Sequence, residues 1–176
     1  MSAHWQKLHD AKAVAEACAH HIIGRLDEAL SGQEFAALAV SGGSSPKLLF
    51  QILTATRFPW DKVHVFWVDE RCVPPTDDAS NYKLAEDYLI RPAHIPKRNV
   101  HRVCGELSPP AAAERYEEEI SEFFGLDDGE MPRFDLVHRG MGPDAHTASL
   151  FPGEPLIDDR ENIAAPVYVE KFHQWR

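Results

Sequence analysis

An α/β fold, a doubly wound and mostly parallel sheet with helices on both faces, is what the sequence predicts. Three observations carry the prediction. Short continuous apolar runs stand at residues 35–40 and 63–68, as in strands buried on both faces. Stretches of helical period alternate with them. The runs open into loops rich in glycine, serine and charged residues, and no repeat, low-complexity tract or linker interrupts the order.

The elements follow in turn. Residues 10–30 place apolar side chains at Ala13, Val14, Ala17, Cys18, Ile22, Leu26 and Leu30, a helical spacing. Residues 35–40 (Phe-Ala-Ala-Leu-Ala-Val) form the first strand. The loop Ser-Gly-Gly-Ser-Ser-Pro over 41–46 leads into a helix from Pro46 to about Leu53, with proline in the favoured first turn. Residues 63–68 form a second strand, which opens into the loop 69–80 and a helix over 81–90. A short strand is expected at 99–103 and a helix at 111–124. The outer face of that helix (Glu114, Glu117, Glu118, Glu119, Glu122) reads as solvated. Residues 134–141 run as a strand into a loop spanning 140–153, and 162–169 is expected to be the last strand.

Composition narrows the function. At 176 residues the chain fits one domain with a real core, and 44% apolar with 26% charged residues is globular composition. A net charge of −10 without a Lys/Arg run argues against nucleic acid and anionic membrane as partners. It leaves room for a local basic pocket holding a small anion. Cys18, Cys72 and Cys104 are far apart, with no C-x-x-C pair and no signal peptide, and read as reduced thiols in a cytoplasmic protein. No run approaches the ~18 consecutive apolar residues of a membrane span. A monomer or weak homo-oligomer is expected.

Strand-end loops of a doubly wound sheet converge on one crevice, so three of them matter together. In the first, Gly42 and Gly43 let backbone approach a ligand, and the helix N-terminus with the hydroxyls of Ser41, Ser44 and Ser45 favours an anion. A plain turn with a serine cap is the alternative, since neither a Walker loop nor a dinucleotide fingerprint is present. The second begins Asp69-Glu-Arg71. The Arg71 fork suits a phosphate or carboxylate, and Asp69 suits anchoring it; a strand-end salt bridge is the plainer reading. The third carries His146, able to take and return a proton near neutral pH, with Asp144 two residues earlier to fix its tautomer. An ordinary strand-to-helix turn capped by Thr147 is its alternative.

Together these segments resemble the 6-phosphogluconolactonase family. Residues 41–46 are similar to its S-G-G-[ST]-[ST]-P loop. Asp-Glu-Arg-Cys-Val-Pro at 69–74, followed by Ser-Asn-Tyr at 80–82, resembles D-E-R-x-V-P…S-N-Y. Residues 140–153 resemble G-x-G-x-D-G-H-T-A-S-L-F-P-G. The resemblance implies a Rossmann-like domain that hydrolyses 6-phospho-D-glucono-1,5-lactone to 6-phosphogluconate in the pentose phosphate pathway, with neither metal nor organic cofactor. His146, Asp144 and Asp69 would form the catalytic set. Ser41, Gly42, Gly43, Ser45, Arg71 and Asn81 would bind the phosphosugar lactone. His146 would activate water and then protonate the departing ring oxygen. Glucosamine-6-phosphate deaminases share the architecture but carry D-E-Y and H-I-A-F-N-E-P in the second and third loops. Arg71 and the Thr-Ala-Ser-Leu-Phe run at 147–151 count against an isomerase or deaminase.

Three departures from the family stand out. Ala145 replaces the glycine before the histidine, which is strained if that position needs positive φ. His138 and Arg139 occupy strand positions that are apolar in the family, so this strand is locally exposed, or the pair has partners, or folding is compromised. Family members also continue past the position of Arg176, which stands about where an R-[IV]-T-L-T segment begins. The chain is therefore expected to lack the C-terminal part of the family domain and to expose an apolar sheet edge. These departures motivate a different reading, a phosphosugar-binding or catalytically impaired homologue.

Overall fold

The computed structural model describes residues 4–176, with the Ser44 side chain outside the description. Helix α1 (Ala11–Leu30) starts at Asp10, whose carboxylate accepts from the Ala13 N–H at 2.7 Å, the N-cap arrangement of a short acidic side chain. Its buried stripe is Ala15, Ala19, Ile22 and Leu26. Ile22 and Leu26 are where the periodicity puts them, but Val14 is 50% exposed. The small alanines lie inward in its place.

Four parallel strands form the sheet in the order β3-β2-β1-β4: β1 (Ala36–Val40), β2 (Val63–Trp67), β3 (Val100–His101) and β4 (Leu136–Val137). The chain winds outward from β1 through β2 to β3, then returns to the opposite side of β1. The order reverses between β1 and β4, the switch point at which open α/β sheets place a ligand crevice beyond the strand C-termini. All five residues of β1 are buried, as a strand covered on both faces must be.

Alternation along β1 splits the core. Ala36, Leu38 and Val40 face α1, α2 (Ser44–Ala55) and α3 (Asn81–Ala85), packing with Leu26, Phe50, Leu53, Val65 and Leu89. Ala37 and Ala39 face α4 (Pro109–Phe124), packing with Phe66, Tyr116 and Ile120. The doubly wound arrangement with helices on both faces is thus observed. On the α4 side a polar chain crosses this apolar layer. Half-buried His64 shares a 2.8 Å hydrogen bond with His101, which meets Glu119 at 2.9 Å and stacks on Phe66 at 4.2 Å. Burial, then the neighbouring His101 and Arg98 charges, push the His64 imidazole down to about 4.

Some elements differ from their sequence signals. The helix at 81–90 spans its expected length but widens after Ala85 into a π turn, Glu86–Ile90. Residues 162–167 form no strand. Ile163 and Ala164 pack over the α4-side aromatic cluster, and Pro166 has no N–H to give a ladder. Only Tyr168–Val169 (β5) is extended, pairing antiparallel with Gln174–Trp175 (β6) in a hairpin separate from the sheet. β4 is shorter than residues 134–141 because side chains take over at its start. The Asp135 carboxylate accepts from Ala37 N (2.8 Å) and Gln33 Nε2 (2.9 Å), where a strand carbonyl would otherwise serve. Val137 is 49% exposed and Arg139 is also exposed. For Arg139 the anomaly resolves as local exposure, whereas His138 is half-buried, its Nδ1 has no hydrogen-bond partner among the described residues, and burial pushes its imidazole down.

Candidate functional site

Three loops leave the C-terminal ends of β1, β2 and β4, and two interlocks join them. Gly42, after β1, lies against Asn81. A Cβ there would fall 1.7 Å from Asn81 Oδ1, so only glycine permits the approach. Asn81 is buried and donates from Nδ2 to the Asp69 carbonyl at 2.8 Å. Asp69 in turn accepts from Ser149 Oγ at 2.6 Å, tying the loop after β2 to the loop after β4.

In the first loop Gly43 has φ +109° and caps α2 without a side-chain hydrogen bond, so first-turn N–H groups of α2 are not capped by it. Ser45 is exposed on that turn, while Ser41 is buried with no partner for its hydroxyl among the described residues.

The second loop is organised by a residue that the sequence reading passed over. Glu70 is buried and accepts from the N–H groups of Arg71 (2.7 Å), Asn81 (2.7 Å) and Tyr82 (2.8 Å), and from Ser80 Oγ (3.1 Å). It closes the loop onto the N-terminus of α3, where orphan N–H groups need acceptors. Burial raises its carboxyl pKa, and the four donors oppose that rise. An acidic residue at a strand end shortly before a Ser-capped helix is the signal that would have found it. Arg71 donates from Nη1 to the Ala79 carbonyl at 2.5 Å, and its Nε has no partner among the described residues.

The third loop is folded on itself. Gly142 N donates to the His146 carbonyl (2.8 Å), Ala145 N to the Gly142 carbonyl (3.0 Å), and Thr147 Oγ1 to the Gly140 carbonyl (3.1 Å). The His146 ring occupies the space a Gly142 Cβ would need. Ala145 has φ +65° and Ala148 φ +52°, left-handed conformations in which a Cβ is strained. The alanine that stands in place of the family's glycine therefore falls where a glycine would relieve strain. His146 Nδ1 is hydrogen-bonded to Asp144 Oδ1, and its ring stacks on Phe151 at 4.4 Å. Lys171, then His146, hold the Asp144 carboxyl well below the usual carboxylate range.

A cavity of about 330 Å³ opens between the sheet and α4, with Asp69, Glu70, Arg71, Arg139, Ser149, Asp159, Asn162 and Arg176 among its polar lining. Asp69 and Arg71 thus meet in one space. His146, Asp144, Asn81 and residues 41–45 lie outside that lining; Gly42 and Asn81 connect to it through Asp69, and Ser149, three residues after His146, lines it. Arg176, absent from the residues singled out in sequence, stands close to Arg71. Burial first, then the Arg71 charge, lowers its pKa. Two guanidinium groups so placed favour an anion between them. Among the described residues no group of three or more His, Cys, Asp or Glu side chains is arranged to hold a metal. No described helix is long and apolar enough to cross a membrane.

Comparison with known proteins gives a consistent match. The family model for glucosamine-6-phosphate isomerases/6-phosphogluconolactonase matches residues 9–176. The 6-phosphogluconolactonase of Nostoc sp. is 41% identical over 143 residues, covering 81% of this chain and 60% of that protein. The Haemophilus influenzae enzyme of the same name is 43% identical over 131 residues, covering 72% and 54%. The crystal structure of 6-phosphogluconolactonase from Thermotoga maritima superposes with a TM-score of 0.82 at 30% identity, covering 96% of this chain and 72% of that one. The chain spans about half to three-fifths of the length of the curated relatives it matches.

Proposed function

The chain belongs to the glucosamine-6-phosphate isomerase/6-phosphogluconolactonase family, and from that premise we propose that it hydrolyses 6-phospho-D-glucono-1,5-lactone to 6-phosphogluconate. The observation that carries this reading is the Asp144–His146 pair, held in the loop after β4 beside the switch point of the sheet. A lactone is an ester, and its opening needs a nucleophile, a proton shuttle and donors facing the developing oxyanion. With Nδ1–H donated to Asp144, His146 Nε2 carries the lone pair; it makes no hydrogen bond among the described residues. It takes a proton from water as the oxygen attacks the C1 carbonyl. When the tetrahedral intermediate collapses, the same proton passes to the departing ring oxygen. Water is added across one C–O bond and the imidazole returns to its starting form.

Arg71 and Arg176 supply positive charge within the acidic chain, suited to the 6-phosphate, together with the first turn of α2 and residues Ser41, Gly42, Gly43 and Ser45. Asp69 fixes the geometry between them through Ser149. Asn81 serves the site by holding Gly42 and Asp69 in register. The isomerase side of the family is disfavoured by Arg71 and by the sequence from Thr147 to Phe151. We place the reaction in the cytoplasm, in keeping with three free thiols, and expect a monomer or weak homo-oligomer.

A binding-only homologue is the second reading, favoured by the positive φ at Ala145 immediately before the base. Lactone hydrolysis measured above the spontaneous rate, together with calorimetric titration of 6-phosphogluconate, separates the two. Turnover supports the hydrolase. Binding without turnover selects the second reading.

A further inference from the structure

The tip of the β5–β6 hairpin, 27 residues beyond Asp144, touches the loop that carries the base. Lys171 Nζ donates to Asp144 Oδ2 at 2.8 Å, while Oδ1 of the same carboxylate engages His146 Nδ1. The tip also reaches the other side of the imidazole. Phe151, on which His146 stacks, packs edge-on against Phe172 at 5.9 Å, and Lys171 Nζ lies 5.8 Å from the Phe151 ring. A tight turn fixes the tip, with His173 at φ +47°. One short segment therefore supports both the carboxylate behind the imidazole and the ring beneath it.

From this geometry we infer that Lys171 is a positioning residue for the hydrolysis proposed above. It anchors the Asp144 carboxylate against His146 Nδ1 and takes up part of that carboxylate's charge, so that the hydrogen bond orients the ring with Nε2 facing away from Asp144. The inference rests on the lactonase reading only for its consequence in turnover. The physical logic is simple. A carboxylate facing an imidazole stabilises the imidazolium, and an imidazole already protonated cannot act as a base. A second cation on the far oxygen weakens that effect without removing the hydrogen bond that sets the tautomer. Asp144 Oδ1 and the imidazole both lie against Gly142, where a Cβ would collide with them.

Other charges lie nearby: Arg139, Asp159 and Arg160 line the open cavity shared with Ala145 and Thr147, Arg176 lies over Phe172 at 4.9 Å, and Glu170 and His173 flank Lys171 in the turn. Among the described residues, none of these is hydrogen-bonded to Asp144, as Lys171 is.

The test is an NMR titration of the His146 imidazole in the whole chain, comparing wild type, Lys171→Met and Lys171→Arg, with the signal assigned through His146→Ala. Loss of the charge is expected to raise the midpoint by about half a unit to one unit, a modest shift for a contact open to solvent. Lys171→Arg is expected to restore it. Lactone hydrolysis should follow. At about pH 6 kcat/KM of Lys171→Met falls roughly three- to tenfold, the effect fades above about pH 8, and KM moves little. A purely structural lysine would lower activity equally at every pH. An unchanged or lowered His146 midpoint in Lys171→Met overturns the inference, whatever the activity. A raised midpoint in a chain without turnover upholds the contact and defeats the lactonase reading instead.

Discussion

The junction of the first two loops and the loop that follows β4 are built in opposite ways. At the junction Glu70 is 6% exposed, Asn81 is 2% exposed, and their polar atoms are spent mostly on backbone groups of neighbouring segments. The third loop holds itself by short-range hydrogen bonds, two alanines at positive φ, and a lysine that is 55% exposed. The junction is a buried polar network, costly to disturb because every lost partner strands another group. The third loop is held by contacts with which water competes, and it stores strain where chemistry is proposed. Stability and reactivity are thus assigned to different loops: changes at the junction should unfold the protein, and changes beside His146 should alter turnover at nearly constant stability.

Glu70→Ala is the strongest way to break that contrast. It strands the backbone N–H groups of Asn81 and Tyr82 at the start of α3 and that of Arg71 in the loop, and a loss of about 3 kcal/mol is expected in denaturant melts. A loss below about 1 kcal/mol would show that water replaces the carboxylate and that the junction is no more rigid than the third loop. Acid probes the polar chain on the α4 side. Because folding lowers the His64 pKa from 6.5 to about 4, the unfolded chain binds more protons between those values. Melting temperature should therefore be highest above about pH 6.5 and fall progressively toward pH 4. In His64→Gln this acid slope should flatten; an unchanged slope would assign it to other groups. The smallest effect belongs to the third loop. Ala145→Gly should gain at most about 1 kcal/mol by relieving a left-handed alanine, while Arg139→Leu should gain nothing, since that side chain is exposed. Equal gains at both positions would mean that strain is not localised before His146.

The fold was largely legible because its strands are continuous apolar runs and its helices keep their period. Residues 35–40 and 63–68 needed no tertiary knowledge to be read as buried parallel strands. Residues 162–169 misled because apolar content does not reveal that Pro166 withholds a donor, or that Ile163 and Ala164 cover aromatic rings. The His138–Arg139 puzzle arose from treating β4 as a long central strand, whereas only two residues pair and the outward face is open. At the site, the sequence displays residue types but not their couplings. Asp69 and Arg71 stood out as strand-end charges and do line one cavity. Glu70, between them, does not stand out on its own in the sequence, because its donors come from the start of α3 as well as from the loop. Lys171 and Arg176 reach the site from the distant hairpin, a contact that no local spacing encodes.

The central claim is that His146 is the base of a lactone hydrolysis. It is tested most directly by initial rates on 6-phospho-D-glucono-1,5-lactone near neutral pH, corrected for spontaneous opening, for wild type and His146→Ala at matched 6-phosphogluconate affinity. The account predicts enzymatic turnover in wild type and a fall of about 10²- to 10⁴-fold in kcat in the variant. A variant that opens the lactone as fast as wild type would contradict it.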